Sequence, residues 1–202
     1  MDFIVPLTGM RTRVKICGIT RPEDGRAAAQ AGADAIGLVF YANSPRYVAL
    51  QQAQAICRAL PPFVSVVALF VNARREQVTE VLNAIPVDLL QFHGNEQAEQ
   101  CVSFGRPYIK AIGMREGSDP LSTMEVHPEA CGFLLDAWQP ELYGGGGVVF
   151  DWAQIPARSD KPMILAGGLT ADNITQAVSR TRPFAVDVST GVESDKGIKS
   201  VE

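Results

Sequence analysis

Several things are missing from this 202-residue chain, and each absence closes off a class of function. Its four cysteines, Cys17, Cys57, Cys101 and Cys131, form no CxxC pair and follow no regular spacing. A disulfide framework is therefore not expected, and reduced thiols in a cytoplasm are the default. Only two histidines occur, His93 and His127, without metal-ligand spacing, so the expected metal is none. No apolar run reaches the length of a membrane span. The opening MDFIVPLTGM has too little basic charge and too short an apolar stretch for a secretory leader, and residues 1–10 read as an extension ahead of the domain. Positive charge is not in excess: 18 Lys and Arg stand against 22 Asp and Glu, a net charge of −4. That balance gives no general attraction for nucleic acid or an anionic membrane. The expected partner is a small molecule, and an anionic one has to be held by local cations or backbone amides.

What is present is a long alternation. Short apolar, β-rich runs recur as RVKICGI (13–19), AIGLVF (35–40), VSVVALFV (64–71), LLQFHG (89–94), YIKAIGM (108–114), GFLLDAW (132–138), MILAGGL (163–169) and AVDVSTG (185–191). Between most of them lie helix-like segments: PEDGRAAAQAG, LQQAQAICRAL, REQVTEVLNAI, EQAEQCVSFG and ADNITQAVSRT. Pro22 sits where a first-turn proline is tolerated, and Gly32 is a stop signal for that helix. Strands alternating with helices predict parallel βαβ units. Eight of them predict a closed (β/α)8 barrel over residues 11–202 as one domain, with a doubly wound sheet as the alternative.

Side-chain parity then places the chemistry. In RVKICGIT, Lys15 and Cys17 share one face of a strand and Val14 and Ile16 the other. If the Val/Ile face packs against helices, an amine and a thiol point into the barrel. Active sites of this fold collect at the C-terminal ends of the strands, which here carry Cys17, Gln91, His93, Asp136, Gly167, Gly168 and Ser189. A free cysteine in a strand is more often a small core hydrophobe, a reading that fits Cys57, Cys101 and Cys131. Cys17 differs because it ends a strand beside Lys15, whose ammonium favours a thiolate. Asp136 either caps a neighbouring loop or acts as a general acid. The glycines of LAGGLTADN, followed by Thr170 as a helix cap, make an anion cradle where barrels often hold phosphate, after strands seven and eight. Arg46, in FYANSPRYV, is either a solvated loop residue or a bidentate clamp for a carboxylate. The glycine run at 144–147 is a flexible loop over the site or a plain linker. It is no phosphate loop, since no GK[ST] follows.

Taken together, KICGIT, GADAIGLVFYANSPRYV, LPPFVSVVALFVN, LLQFHGNE, FLLDAW, FDW, ILAGGLTADN and PFAVDVSTGVE resemble the phosphoribosylanthranilate isomerase family, over nearly the whole chain from about residue 11. The resemblance implies a cofactor-free Amadori rearrangement in tryptophan biosynthesis, converting N-(5-phosphoribosyl)anthranilate, an aminoaldose, to its aminoketose. It implies that Cys17 is the general base, with Lys15 keeping it charged, and that Asp136 is the general acid. Arg46 would hold the anthranilate carboxylate, and Gln91 would line the pocket. Gly167, Gly168, Asp187 and Ser189 would form the phosphate end, and Lys15, His93, Thr190 and Gly191 are counted as substrate-binding with them. The chain would be a monomer or homodimer. Two departures stand out: GGGGVV replaces the usual GG[TS]G-polar lid, and the sequence stops at GIKSVE, so the expected barrel has an absent or truncated last helix. Two alternatives are a histidine-pathway or dual-specificity aminoaldose isomerase and a non-catalytic binder of a phosphorylated ligand. Dual-specificity relatives resemble a pattern with aspartate where Cys17 stands, so Cys17 argues against the first.

Overall fold

A computed structural model describes residues 11–137, 149–156 and 159–200. The extension 1–10 and the glycine run 144–147 lie outside the described residues. The strands are β1 (Arg13–Cys17), β2 (Ala35–Val39), β3 (Ser65–Phe70), β4 (Leu89–Phe92), β5 (Tyr108–Met114), β6 (Gly132–Ala137), β7 (Met163–Leu165) and β8 (Ala185–Val188). All eight pair in parallel, in chain order, and β8 returns to β1, so the sheet is a closed barrel. The doubly wound alternative is thereby excluded. Strands end earlier than their apolar runs where glycine follows: Gly18, Gly167 and Gly168 all have positive φ, which turns the chain out of the sheet.

Helices α1 (Pro22–Gln30), α2 (Leu50–Ala59), α3 (Arg75–Ala84), α4 (Ala98–Val102), α5 (Pro120–Val126) and α6 (Ile174–Thr181) connect the strands. Pro22 opens α1, and Gly32 follows its end at φ 90°. Helix α5 was not among the expected segments. It is short, yet Asp119 caps it through the Leu121 amide and Pro120 starts it, both ordinary start signals. Between β6 and β7 the described residues hold a single 3-10 turn, Trp152–Gln154. After β8 they form an antiparallel hairpin, β9 (Glu193–Asp195) and β10 (Ile198–Lys199), and no helix among the described residues follows it. No described helix is long and apolar enough to cross a membrane.

Alternation along the strands sorts the apolar residues into two shells. Ile36 and Leu38, Val66, Ala68 and Phe70, and Leu90 and Phe92 face outward into the main core beneath the helices. Burying each large side chain contributes about 1.5–3 kcal/mol. Ile109, Ala111, Leu134, Ile164, Ala166 and Ala185 fill the barrel interior, and Cys17, Val39, Leu69 and Val71 form a third cluster.

Buried charges tie the strand ends to their loops. Glu96 and Lys110 are 7% and 3% exposed and pair at 3.1 Å. Glu96 also accepts from the Asn72 amide at 2.7 Å and the Gly94 amide at 2.9 Å, which joins the chain after β3 to the loop after β4. Replacing Glu96 with alanine strands a buried ammonium and two amides, and breaking such a pair costs about 3–5 kcal/mol. Urea denaturation of Glu96→Ala is expected to show that loss; a change within about 0.5 kcal/mol, as at ordinary surface sites, would contradict it.

Candidate active site

Inward positions at the C-terminal ends of the strands converge on one cavity. Its floor and walls include Cys17 of β1, Gln91 of β4, Asp136 of β6 and Asp187 of β8, together with His93 just beyond β4. Gly167, Gly168, Ser189, Thr190 and Gly191 line one side, and Arg46 enters from the loop after β2. Val39, Leu69 and Leu169 supply apolar wall, and Tyr41 and Ser44 the rim beside Arg46. Eleven of the twelve residues expected at the site therefore meet here.

Lys15 is the exception. It lies 5% exposed, outside the cavity lining, with Nζ 2.8 Å from Asp187 Oδ1. Burial opposes its charge, but Asp187 and Cys17 outweigh burial and hold its pKa above the ordinary lysine value. Lys15, expected to face the substrate, is engaged in a buried ion pair with Asp187. Gly37 makes room for this arrangement: a Cβ there would meet Cys17 Sγ at 2.7 Å and Lys15 Nζ at 3.0 Å.

The thiol itself behaves differently from expectation. Burial pushes the Cys17 pKa up, Lys15 pulls it down, Asp187 pushes it up again, and the outcome lies above the ordinary cysteine value. Lys15 is already committed to Asp187, so it moderates the desolvation of Cys17 without reversing it. Of the other cysteines, Cys101 is buried and Cys57 half-buried, as small core residues, whereas Cys131 is exposed.

Across the cavity, three side chains form a chain. The Gln91 amide nitrogen donates to His93 Nδ1 at 3.1 Å, so His93 carries its hydrogen on Nε2 and donates to Asp136 Oδ2 at 3.2 Å. Asp136 Oδ1 is left facing Gly167, where φ is 81° and a Cβ would approach that oxygen to 3.1 Å. Gln91 Oε1 is buried with no partner among the described residues, an acceptor that a bound hydroxyl or amine can satisfy.

At the other end the backbone turns through Gly167 and Gly168, and Thr170 forms a bridge to Gly191. Asn173 rather than Thr170 occupies the N-cap position of α6. Its side chain makes no cap bond to the helix but braces the loop, accepting from the Thr170 amide at 2.9 Å and donating to the Gly168 carbonyl at 2.8 Å. Asp187 lies on this lining, but its carboxylate serves Lys15. The glycines, Ser189 and Thr190 line this end of the cavity. Among the described residues, no group of three or more His, Cys, Asp or Glu side chains is arranged to hold a metal ion.

A family model for N-(5'phosphoribosyl)anthranilate (PRA) isomerase matches residues 14–202. The chain belongs to the phosphoribosylanthranilate isomerase family. Among curated members, the N-(5'-phosphoribosyl)anthranilate isomerase of Pseudomonas paraeruginosa is 58% identical over 187 residues, 93% of this chain and 89% of that one. The crystal structure of the family member from Thermotoga maritima superposes with a TM-score of 0.86 at 39% identity, covering 95% and 94% of the two chains. Another solved member, in complex with reduced 1-(o-carboxyphenylamino)-1-deoxyribulose 5-phosphate, gives 0.83 at 37% identity, covering 95% and 93%. Family membership agrees with the resemblance read from the motifs.

Two residues beside the site were not anticipated. Glu193 and Lys199, on the β9–β10 hairpin, bond to each other at 2.9 Å and, through Glu193, to Arg46. Glu193 stood within the PFAVDVSTGVE stretch, but nothing in its spacing shows that a hairpin folds it back onto the second loop.

The direction of the Cys17 shift can be measured. A raised pKa leaves less thiolate at neutral pH than an exposed cysteine has, so alkylation of Cys17 should reach half its maximal rate above the ordinary value of about 8.5. Mass-spectrometric alkylation against pH checks this, and a midpoint at or below that of a short cysteine peptide would contradict it.

Proposed function

We propose that this chain isomerises N-(5-phosphoribosyl)anthranilate to 1-(2-carboxyphenylamino)-1-deoxyribulose 5-phosphate, the step that its family name describes in tryptophan biosynthesis. The observation that carries the reading is that a thiol on β1 and a carboxylate on β6 face one cavity at the mouth of the barrel, in a chain of this family. Acid and base on separate strands can address two faces of one small sugar.

The protons balance over the cycle. Asp136 Oδ1 gives its proton to the furanose oxygen as the C1–O bond breaks, which leaves a protonated Schiff base at C1. The Cys17 thiolate takes the C2 proton, and the C–H electrons close a C1=C2 enamine. Protonation at C1 and loss of the C2 hydroxyl proton give the ketone and restore both groups. C1 is reduced and C2 oxidised within one molecule, so proton shifts alone suffice. His93 holds Asp136 through Oδ2 and leaves the other oxygen to work. A thiolate of raised pKa is scarcer at neutral pH but is a stronger base, which removal of a carbon-bound proton requires. The glycine turns, with Ser189 and Thr190, take the phosphate, and Arg46 takes the anthranilate carboxylate.

The decisive assay is turnover of the phosphoribosylated anthranilate by the purified chain, with the histidine-pathway aminoaldose run beside it. Turnover of the first alone is expected. Cys17→Ala and Asp136→Asn are each expected to lower kcat by about 10²–10⁴-fold with a much smaller change in substrate affinity. Near-parental kcat in Cys17→Ala would remove that thiol from the role of base.

A further inference from the structure

The hairpin after β8 carries an arrangement that the acid/base chemistry does not use. Glu193 grips Arg46 in a fork, accepting from Nε at 3.1 Å and from Nη2 at 2.6 Å. Nη2 also reaches Thr190 Oγ1 at 3.3 Å. Among the described residues Nη1 takes no hydrogen bond, and Arg46 lines the cavity whereas Glu193 does not. The carboxylate thus holds the guanidinium from behind and stays outside the pocket.

Glu193 is itself held. Lys199 Nζ donates to its Oε1 at 2.9 Å and to the Ser189 carbonyl at 3.1 Å. The Lys199 amide donates to Asp24 Oδ2 at 3.2 Å, and Arg21 pairs with Asp24 Oδ1 at 2.6 Å. The side chains of Arg46, Glu193 and Lys199 are 8%, 3% and 4% exposed. Three charges this deeply buried need mutual compensation. Burial works against the Glu193 carboxylate, but Arg46 and Lys199 together hold its pKa below the ordinary value. The cluster keeps one net positive charge, and the free edge of Arg46 delivers it to the cavity.

We propose that Glu193 is a positioning residue for Arg46, fixing the guanidinium so that its free edge meets the carboxylate on the substrate's aromatic ring, with Lys199 offsetting the second carboxylate. This rests on the function proposed above. A planar guanidinium pinned along one edge loses little further freedom when its other edge binds. Without that pin, Arg46 must be ordered by the substrate itself, and binding weakens. The acid/base groups lie elsewhere in the cavity, so the chemical step is spared.

The test compares two substrates, the phosphoribosylated anthranilate and its phosphoribosylated aniline analogue without the carboxylate, in the parent chain, Glu193→Gln and Glu193→Asp. Glu193→Gln keeps the shape and removes the charge. It is expected to raise KM for the anthranilate substrate by on the order of tenfold, with kcat within about twofold. Both parameters for the aniline analogue should stay near parental values. Glu193→Asp, which keeps the charge on a shorter arm, should recover part of the loss. An unchanged KM in Glu193→Gln, or an equal loss on both substrates, would overturn the positioning role, the latter making the hairpin merely structural. If Glu193→Gln fails to fold, Glu193→Asp takes its place in the two-substrate comparison: a KM rise confined to the anthranilate substrate supports the role, and no rise or an equal one overturns it. Absence of turnover by the parent chain would instead strike the proposed function itself.

Discussion

One buried ion pair governs the site. Lys15 and Asp187 sit opposite each other in the β1–β8 register, at the seam where the barrel closes, 2.8 Å apart and 5% and 8% exposed. Neither charge could be buried alone; removing one partner of such a pair typically costs about 3–5 kcal/mol. The pair belongs to the last strand pairing that the chain makes around the ring, so closing the sheet in register and building the floor of the cavity are the same event. Cys17, two residues along β1, takes its electrostatic surroundings from that pair: an ammonium that favours thiolate, a carboxylate that opposes it, and burial as the largest influence.

A second consequence is a division of labour between the two ends of the barrel. At the N-terminal end carboxylates brace the backbone: Asp34 accepts from the Val14 amide at 2.8 Å and Asp88 from the Val66 amide at 2.7 Å. At the C-terminal end the polar groups are held by other side chains and keep one atom in reserve. Asp136 is held through Oδ2, Gln91 through its amide nitrogen and Arg46 through one edge. Each retains an unused hydrogen-bonding atom, and such partly satisfied groups are the ones that a ligand can complete.

Much of this was legible before any coordinates. Alternating apolar runs identified eight strands. Parity within RVKIC turned Cys17 inward, because a strand's period of two leaves no other choice once one face is apolar. The strand ends marked Gln91 and Asp136, whereas Asp187 entered only through the family resemblance. What escaped was set by long-range packing. Lys15 reads as an amine entering the cavity until Asp187, 172 residues away, is brought against it. Asn173 rather than Thr170 stands at the N-cap position of α6, and its side chain folds back onto the loop instead of onto the helix amides. The missed α5, seven residues long, is too short for a periodic signal. Glu193 and Lys199 matter only because a two-stranded turn folds them back toward Arg46, a contact that no local pattern encodes.

The central claim, that Cys17 removes the C2 proton, is tested most directly by the isotope effect in a variant with a poorer base. Cys17→Ser keeps the size of the group but replaces the thiol with a far less acidic hydroxyl. With substrate deuterated at C2, proton removal should then limit the rate: turnover falls and a primary isotope effect on kcat appears or grows relative to the parent chain. A fall in rate with no isotope effect, or turnover that survives the substitution, would place the base elsewhere.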